Sequence, residues 1–220
     1  MTYESLIFDI DGTLWDSRAL VAEGYNIQLR QEGLDHLCVD AETLKSLFGK
    51  VMTQIADQIF ASIPVPERYS LMDRCMNREN QYLQENPCEI GYPNVAQTLK
   101  ALCANHRLFI VSNSQRGYPE LCMEKLGIAP YITGHLCFGD TGTSKGQTIR
   151  ELMKRHRIDN CAYIGDTQGD YEATLEAGIP FIWASYGFGT PAGYAAKIDR
   201  IDQLLDMQGT VDAPYVPVLR

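Results

Sequence analysis

No apolar run in this sequence approaches the length of a membrane span, and no two of its seven cysteines form a CxxC pair. The first absence argues against a membrane partner. The second, with the odd count, argues against a disulfide framework or a paired-cysteine metal site. Cys38, Cys75, Cys88, Cys103, Cys122, Cys137 and Cys161 are spread evenly, and Met1 runs almost directly into an apolar stretch. No secretory leader is therefore expected, and the thiols are expected to be reduced, packed as small apolar groups in a cytoplasmic protein. Positive charge is also scarce: 19 Lys and Arg face 28 Asp and Glu, a net charge of −9. Such a surface does not suit the phosphate backbone of a nucleic acid. It can still accept a small anion where a metal or a lysine makes a pocket locally positive. Internal repeats and low-complexity segments are absent as well.

What is present is the composition of a globular protein, 220 residues with 45% apolar and 21% charged. That length suits one domain, or a core with a smaller insertion. Five apolar runs read as buried strands: Leu6–Ile10, Leu108–Ser112, His135–Phe138, Cys161–Ile164 and Pro180–Ala184. Helical faces such as Val95, Leu99, Leu102 and Ile149, Leu152, Met153 alternate with them. This predicts an α/β fold with a mostly parallel, doubly wound sheet. The gap between the first two runs holds no strand but three apolar stripes of helical period: Val21, Tyr25, Leu29; Met52, Ile55, Ala56, Ile59, Phe60; and Tyr69, Met72, Met76, Leu83. Pro64 and Pro66 separate the second stripe from the third, and Gly91 and Pro93 punctuate the return. A helical subdomain over residues 17–87 is expected, with the core formed by 1–16 and 88–220. The tail from Gly209 to Arg220, which contains two prolines, is expected to lie extended over the surface.

Ligands of open α/β sheets bind outside the carboxyl ends of the strands. The first run delivers Asp9, Asp11, Gly12 and Thr13 there; the second delivers Ser112, Asn113 and Ser114. Lys145 follows the third, Gly165 to Asp170 follow the fourth, and Tyr186-Gly187-Phe188-Gly189 follow the fifth as a flexible loop beside the site. Four aspartates at one edge repel or take up protons unless a cation is bound. Hard oxygen donors suit Mg²⁺, and Mg²⁺ with a lysine can hold a phosphate dianion. One carboxylate can then act as nucleophile and a second as acid and base.

The stretch FDIDGTLWDS, Phe8–Ser17, resembles the first motif of the haloacid dehalogenase superfamily. Val111–Ser114, Lys145 and Gly165–Asp170 stand in the places of its second, third and fourth motifs, and the insertion point is similar to that of the helical cap in the phosphoglycolate phosphatase and β-phosphoglucomutase branch. The resemblance implies a Rossmann-like core with an inserted α-helical cap. It implies Asp9 as nucleophile and Mg²⁺ ligand, and Asp11 as general acid/base that ligates the metal through its main-chain carbonyl. Ser112 would bind the transferring phosphoryl group with the Asn113 amide, and Lys145 would neutralise it. Asp166 would ligate Mg²⁺, with Asp170 as ligand or support. Asp11 is the acid/base that phosphotransferases of this superfamily need and true dehalogenases lack. Where many members of the branch have proline after the motif lysine, this chain has Gly146.

Each residue also has a plain structural reading. Asp16 and Ser17 read as helix N-caps, Ser112 and Asn113 as ordinary strand-end residues, Lys145 as a surface lysine, and Asp166 and Asp170 as a cap and a first-turn acid. Their joint placement at successive strand ends favours chemistry. Gly187, Gly189 and Gly193 do not have dinucleotide-loop spacing, and the four histidines are scattered. In the cap, the Leu47–Lys50 segment resembles the branch's specificity loop; Lys50 would reach a carboxylate or second phosphate, or be a solvated lysine. Trp15 is expected to wall the pocket, and Thr13 to help bind substrate. The expected activity is a Mg²⁺-dependent phosphatase acting on a small phosphorylated metabolite, in a monomer or homodimer. A phosphosugar mutase of the β-phosphoglucomutase type and a non-catalytic binding protein are the alternatives.

Overall fold

A computed structural model describes residues 3–209. The tail beyond them, expected to lie extended, is outside the described residues. Six strands form one sheet: β1 (Ser5–Phe8), β2 (Arg107–Ser112), β3 (Ile132–Cys137), β4 (Cys161–Gly165), β5 (Phe181–Ala184) and β6 (Ala196–Ile198). Their order is β3-β2-β1-β4-β5-β6, and every pairing is parallel. A parallel sheet covered on both faces needs apolar residues on both, which is why its central strands read as continuous runs. Alternate side chains divide accordingly. Leu6, Phe8, Leu108, Ile110, Ala162 and Ile164 face one core; Ile7, Phe109, Val111, Cys161 and Tyr163 face the other. Fully burying side chains of this size contributes about 1.5–3 kcal/mol each.

Between β1 and β2 lie α1 (Arg18–Gln31), α2 (Ala41–Lys45), α3 (Met52–Ile59), α4 (Val65–Glu85) and α5 (Val95–Leu102). No strand of the sheet comes from residues 17–87. The chain leaves and returns through two adjacent segments. Asp16 N–H donates to Ile90 O at 2.8 Å and Tyr92 N–H to Leu14 O at 3.0 Å. After β2 come α6 (Tyr118–Lys125), α7 (Phe138–Thr141), α8 (Lys145–His156) and α9 (Gln168–Ala177). α5 and α6 cover the first core through Val95, Leu99, Leu102 and Cys122, while α8 and α9 cover the second through Ile149, Leu152 and Ala173. The fold is thus α/β and doubly wound. Strand order reverses around β1, whose neighbours β2 and β4 continue in opposite directions, so the binding edge lies at the ends of these three strands.

β2, β4 and β5 match their expected runs to within one residue, and three strands differ by more. β1 ends at Phe8, although Asp9 N–H extends the ladder to Ile164 O at 2.9 Å. β3 starts three residues early, at Ile132, and β6 was not expected. Both are edge strands whose polar and small residues, Thr133, Gly134 and Lys197 among them, break the apolar run.

Candidate active site

The turn after β1 sends its two carboxylates to different partners. Gly12 adopts φ +81°, a left-handed value that L side chains rarely take, and a Cβ there would stand 2.2 Å from Asp166 Oδ2. Around this turn Asp9 points to Lys145, whose Nζ donates to Asp9 Oδ1 at 2.9 Å and to Asp170 Oδ1 at 2.6 Å. Asp11 Oδ1 instead accepts from Trp15 Nε1 at 2.8 Å, Ser17 Oγ at 2.6 Å and the Tyr118 hydroxyl at 2.8 Å.

Asp9, Asp166 and Asp170 are buried and bring one carboxylate oxygen each within 4.8 Å of the others. Burial, then the neighbouring Asp170, pushes Asp9 up to about 7, against the opposing pull of Lys145. Asp166 is raised by burial, then by Asp170 and Asp9. Burial also acts on Asp170, but Lys145 and the Thr167 donors bring it below the usual carboxylate range. Lys145 is held above the ordinary lysine range by Asp170 and Asp9 although burial works against it. Three carboxylates thus face one ammonium, and ionising all three leaves an excess of two negative charges on hard oxygen donors. A divalent oxygen-seeking cation fits that set. The Asp11 carboxylate stands outside it; burial raises its pKa, opposed by its three donors.

Asp170 also serves its own helix. Its Oδ2 accepts from Thr167 N–H at 2.9 Å while its N–H donates to Thr167 Oγ1 at 3.2 Å, a capping box at the start of α9. The structural and site readings of this residue therefore hold together, one oxygen for each. Ser17 departs from expectation: it stands at the N-cap of α1 but makes no side-chain cap bond, because its hydroxyl is taken by Asp11 and Tyr118. Asp16 pairs with Arg18 at 2.8 Å.

Ser112 is buried and its Oγ accepts from Ser114 N–H at 3.2 Å, which leaves its own proton available to donate. The Asn113 side-chain amide donates to Gly49 O at 2.7 Å, tying the 47–50 loop to the end of β2. Phe48 and Phe188 extend this contact, with ring centroids 5.8 Å apart. Thr13 lies behind the carboxylates, donating to Asp166 Oδ1 at 3.3 Å. Trp15 is fully buried and lies outside the cavity lining; rather than walling a pocket it holds Asp11 from behind. Both are excluded from the lining because the Gly12 turn carries the chain back under the site. Lys50 lines the cavity mouth and donates to Gln58 Oε1 at 3.1 Å. The glycine after Lys145 has a local reason: a Cβ on Gly146 would stand 2.4 Å from Glu176 Oε2 of α9.

A cavity of about 40 Å³ lies over Asp9, Asp11, Ser112 and Lys145, space for roughly three water-sized groups. Beyond Lys50 and Asn113 a cleft of about 810 Å³ opens toward Thr143 and Gln168. Residues not foreseen complete the cavity. Tyr118 comes from α6, 107 positions after the aspartate it binds. Glu79 of α4 is only 3% exposed. Burial, then Asp11, pushes it up to about 8, with Tyr25 and Gln115 as the donors opposing that rise. Among the described residues no histidine lines the cavity.

A family model described as haloacid dehalogenase-like hydrolase matches residues 6–184. A phosphoglycolate phosphatase of Agrobacterium fabrum is 27% identical over 193 residues, covering 83% of this chain and 80% of its own. A 5'-nucleotidase of Pseudomonas aeruginosa is 24% identical over 236 residues, covering 94% and 97%. A crystal structure of a predicted phosphatase from Clostridium acetobutylicum shares the fold, with a TM-score of 0.79 at 20% identity over 94% of this chain and 98% of that one. The matched region runs from within β1 to the end of β5 and so contains the strand ends and helix starts that carry the carboxylates and the lysine; the chain belongs to the haloacid dehalogenase-like hydrolase family.

Proposed function

We propose that this chain is a Mg²⁺-dependent phosphatase of small phosphomonoesters, with chemistry like that of its phosphoglycolate phosphatase relatives. The observation that carries the reading is the division of labour at the end of β1, with Asp9 beside the lysine and Asp11 among neutral donors. Asp9 attacks phosphorus, and the bond to the ester oxygen breaks as an aspartyl-phosphate forms. Asp11 gives its proton to the departing alkoxide and then takes one from the water that cleaves the acyl phosphate. Trp15, Ser17 and Tyr118 fix the direction of that carboxyl throughout. Ser112 and the Asn113 amide hold the phosphoryl oxygens, and Lys145 offsets their charge. Asp9, Asp166 and Asp170, with the Asp11 main-chain carbonyl, would hold Mg²⁺, which supplies further charge stabilisation to phosphoryl transfer.

Residues 17–87 serve as a cap over the core of 1–16 and 88–220, with the adjacent segments at Trp15 and Gly91 as its hinge. Its closure excludes bulk water and admits small esters. Seven unpaired thiols suit a reducing, cytoplasmic setting. The test is phosphate release from a panel of phosphorylated metabolites with Mg²⁺, by the wild type and Asp9→Asn. The substitution is expected to abolish release; full activity in the variant, with contaminating phosphatase excluded, would falsify the reading. Formation of an isomeric phosphosugar in place of phosphate would instead favour the mutase alternative.

A further inference from the structure

Among the described residues, five buried side-chain atoms lack a hydrogen-bond partner, and three of them belong to residues lining the small cavity: Glu79 Oε2, Asn113 Oδ1 and Ser114 Oγ. Folded proteins leave few such atoms, so three around one cavity point to a ligand that completes them. Two of the three can only accept when Glu79 is ionised. Asn113 is fixed in orientation, because its amide nitrogen donates to Gly49 O. Ser114 can turn either way.

Glu79 is held firmly in place. The α4 backbone presses on α1 at Gly24, where a Cβ would come within 2.8 Å of Glu79 Cα. Tyr25 and Gln115 flank the carboxyl. The cations lining the cavity are Lys145, committed to Asp9 and Asp170, and Lys50, held at the mouth by Gln58. A leaving group ending in a carboxylate would therefore bring a third acid beside Glu79 and Asp11 into a poorly solvated space that has no uncommitted cation to offset its charge. One ending in a hydroxyl or ammonium would meet acceptors that have no other partner.

We propose that Glu79 is a specificity-determining residue that receives a hydrogen-bond donor of the leaving group, so that the substrates are phosphomonoesters of small alcohols bearing a further hydroxyl or ammonium, and not of hydroxy acids. This rests on the phosphatase reading above and narrows it. A site built around a donor rejects an analogue lacking one, because its buried acceptors are then left unpaired.

Three two-carbon monoesters that differ only at the far carbon decide the matter: 2-hydroxyethyl phosphate, phosphoethanolamine and phosphoglycolate. Each is compared by kcat/KM with Mg²⁺, beside p-nitrophenyl phosphate as a generic ester. The wild type is expected to favour the better of the first two over phosphoglycolate at least tenfold. Glu79→Gln, which puts a donor nitrogen in place of one carboxyl oxygen at nearly equal volume, is expected to reduce that ratio at least tenfold. A merely structural role would lower all three together and leave the ratio unchanged. Phosphoglycolate equal to or better than both donor esters in the wild type overturns the inference whether or not the variant folds. So does an unchanged ratio in the variant, or turnover of the aryl ester with none of the three. If no ester at all releases phosphate, the phosphatase reading itself falls, and this inference with it.

Discussion

The ammonium of Lys145 stands 2.6 Å from Asp170 and 2.9 Å from Asp9, joining the first turn of α9 to the end of β1 from the first turn of α8. A cation at a helix N-terminus opposes the helix dipole, so the helix gains nothing from this lysine. The two carboxylates are what hold it there.

Lys145→Met should therefore weaken both fold and function. Removing one partner of a buried ion pair leaves charge uncompensated and costs about 3–5 kcal/mol. At pH 8 the urea midpoint should fall accordingly, and phosphate release should drop by at least about 100-fold, the scale of losing one preorganised charge in a water-poor site. A variant with wild-type midpoint and turnover would show that the lysine is dispensable.

Asp166 tests the metal. Its carboxyl is raised by burial and then by Asp170 and Asp9, so the metal-free protein is strained at this position. Asp166→Asn should raise the metal-free Tm by about 2–4 °C, the change that roughly 1 kcal/mol makes in a chain of this size. It should also remove the rise in Tm expected from Mg²⁺ in the wild type, since a ligand that binds only the folded state stabilises it by mass action. Differential scanning calorimetry with and without Mg²⁺ measures both effects. An undiminished Mg²⁺ response in the variant would place the cation elsewhere.

What could be read from the sequence divides along physical lines. Asp9, Ser112 and Asp166 were legible because parallel strands announce themselves as apolar runs, and chain geometry brings their carboxyl ends to one edge. Tyr118 was not, because its bond to Asp11 spans 107 positions and no local pattern encodes it. β6 is only three residues long at the sheet margin, and Lys197 stands between Ala196 and Ile198 and breaks the apolar run. Trp15 was misread for a related reason: proximity in sequence to Asp9 says nothing about which side of the carboxylate a ring will occupy. Glu79 did leave a trace. Met72, Met76, Glu79 and Leu83 follow at i, i+4, i+7 and i+11, so an acid occupies the apolar stripe of α4. An acid on a buried stripe needs a partner or a purpose.

Gly12 should tolerate no side chain. Its positive φ and the 2.2 Å approach of a Cβ to Asp166 Oδ2 act together. Gly12→Ala is expected to cost about 1–3 kcal/mol of stability through backbone strain and to weaken Mg²⁺ binding by displacing Asp166. Isothermal titration with Mg²⁺ beside denaturant unfolding separates the two. Loss of stability with unchanged Mg²⁺ affinity would mean that the turn and the carboxylate move independently.

Glu79 should impress its own signature on stability against pH. Burial, then Asp11, moves its pKa from the ordinary 4.5 up to about 8. Between those values the folded chain retains a proton that the unfolded chain has lost, so the stability it contributes is complete below about pH 4.5 and declines as pH rises toward 8. At 1.36 kcal/mol per unit the decline is on the order of 5 kcal/mol. Glu79→Gln has no such proton to lose, so its stability relative to the wild type should improve steadily between pH 5 and pH 8. The difference between the two proteins is the quantity to follow in urea unfolding, because Asp9, raised to about 7, titrates within the same window in both and cancels. A difference that stays flat with pH would show that Glu79 is already ionised in the folded chain, compensated by a cation or a donor stronger than Tyr25 and Gln115.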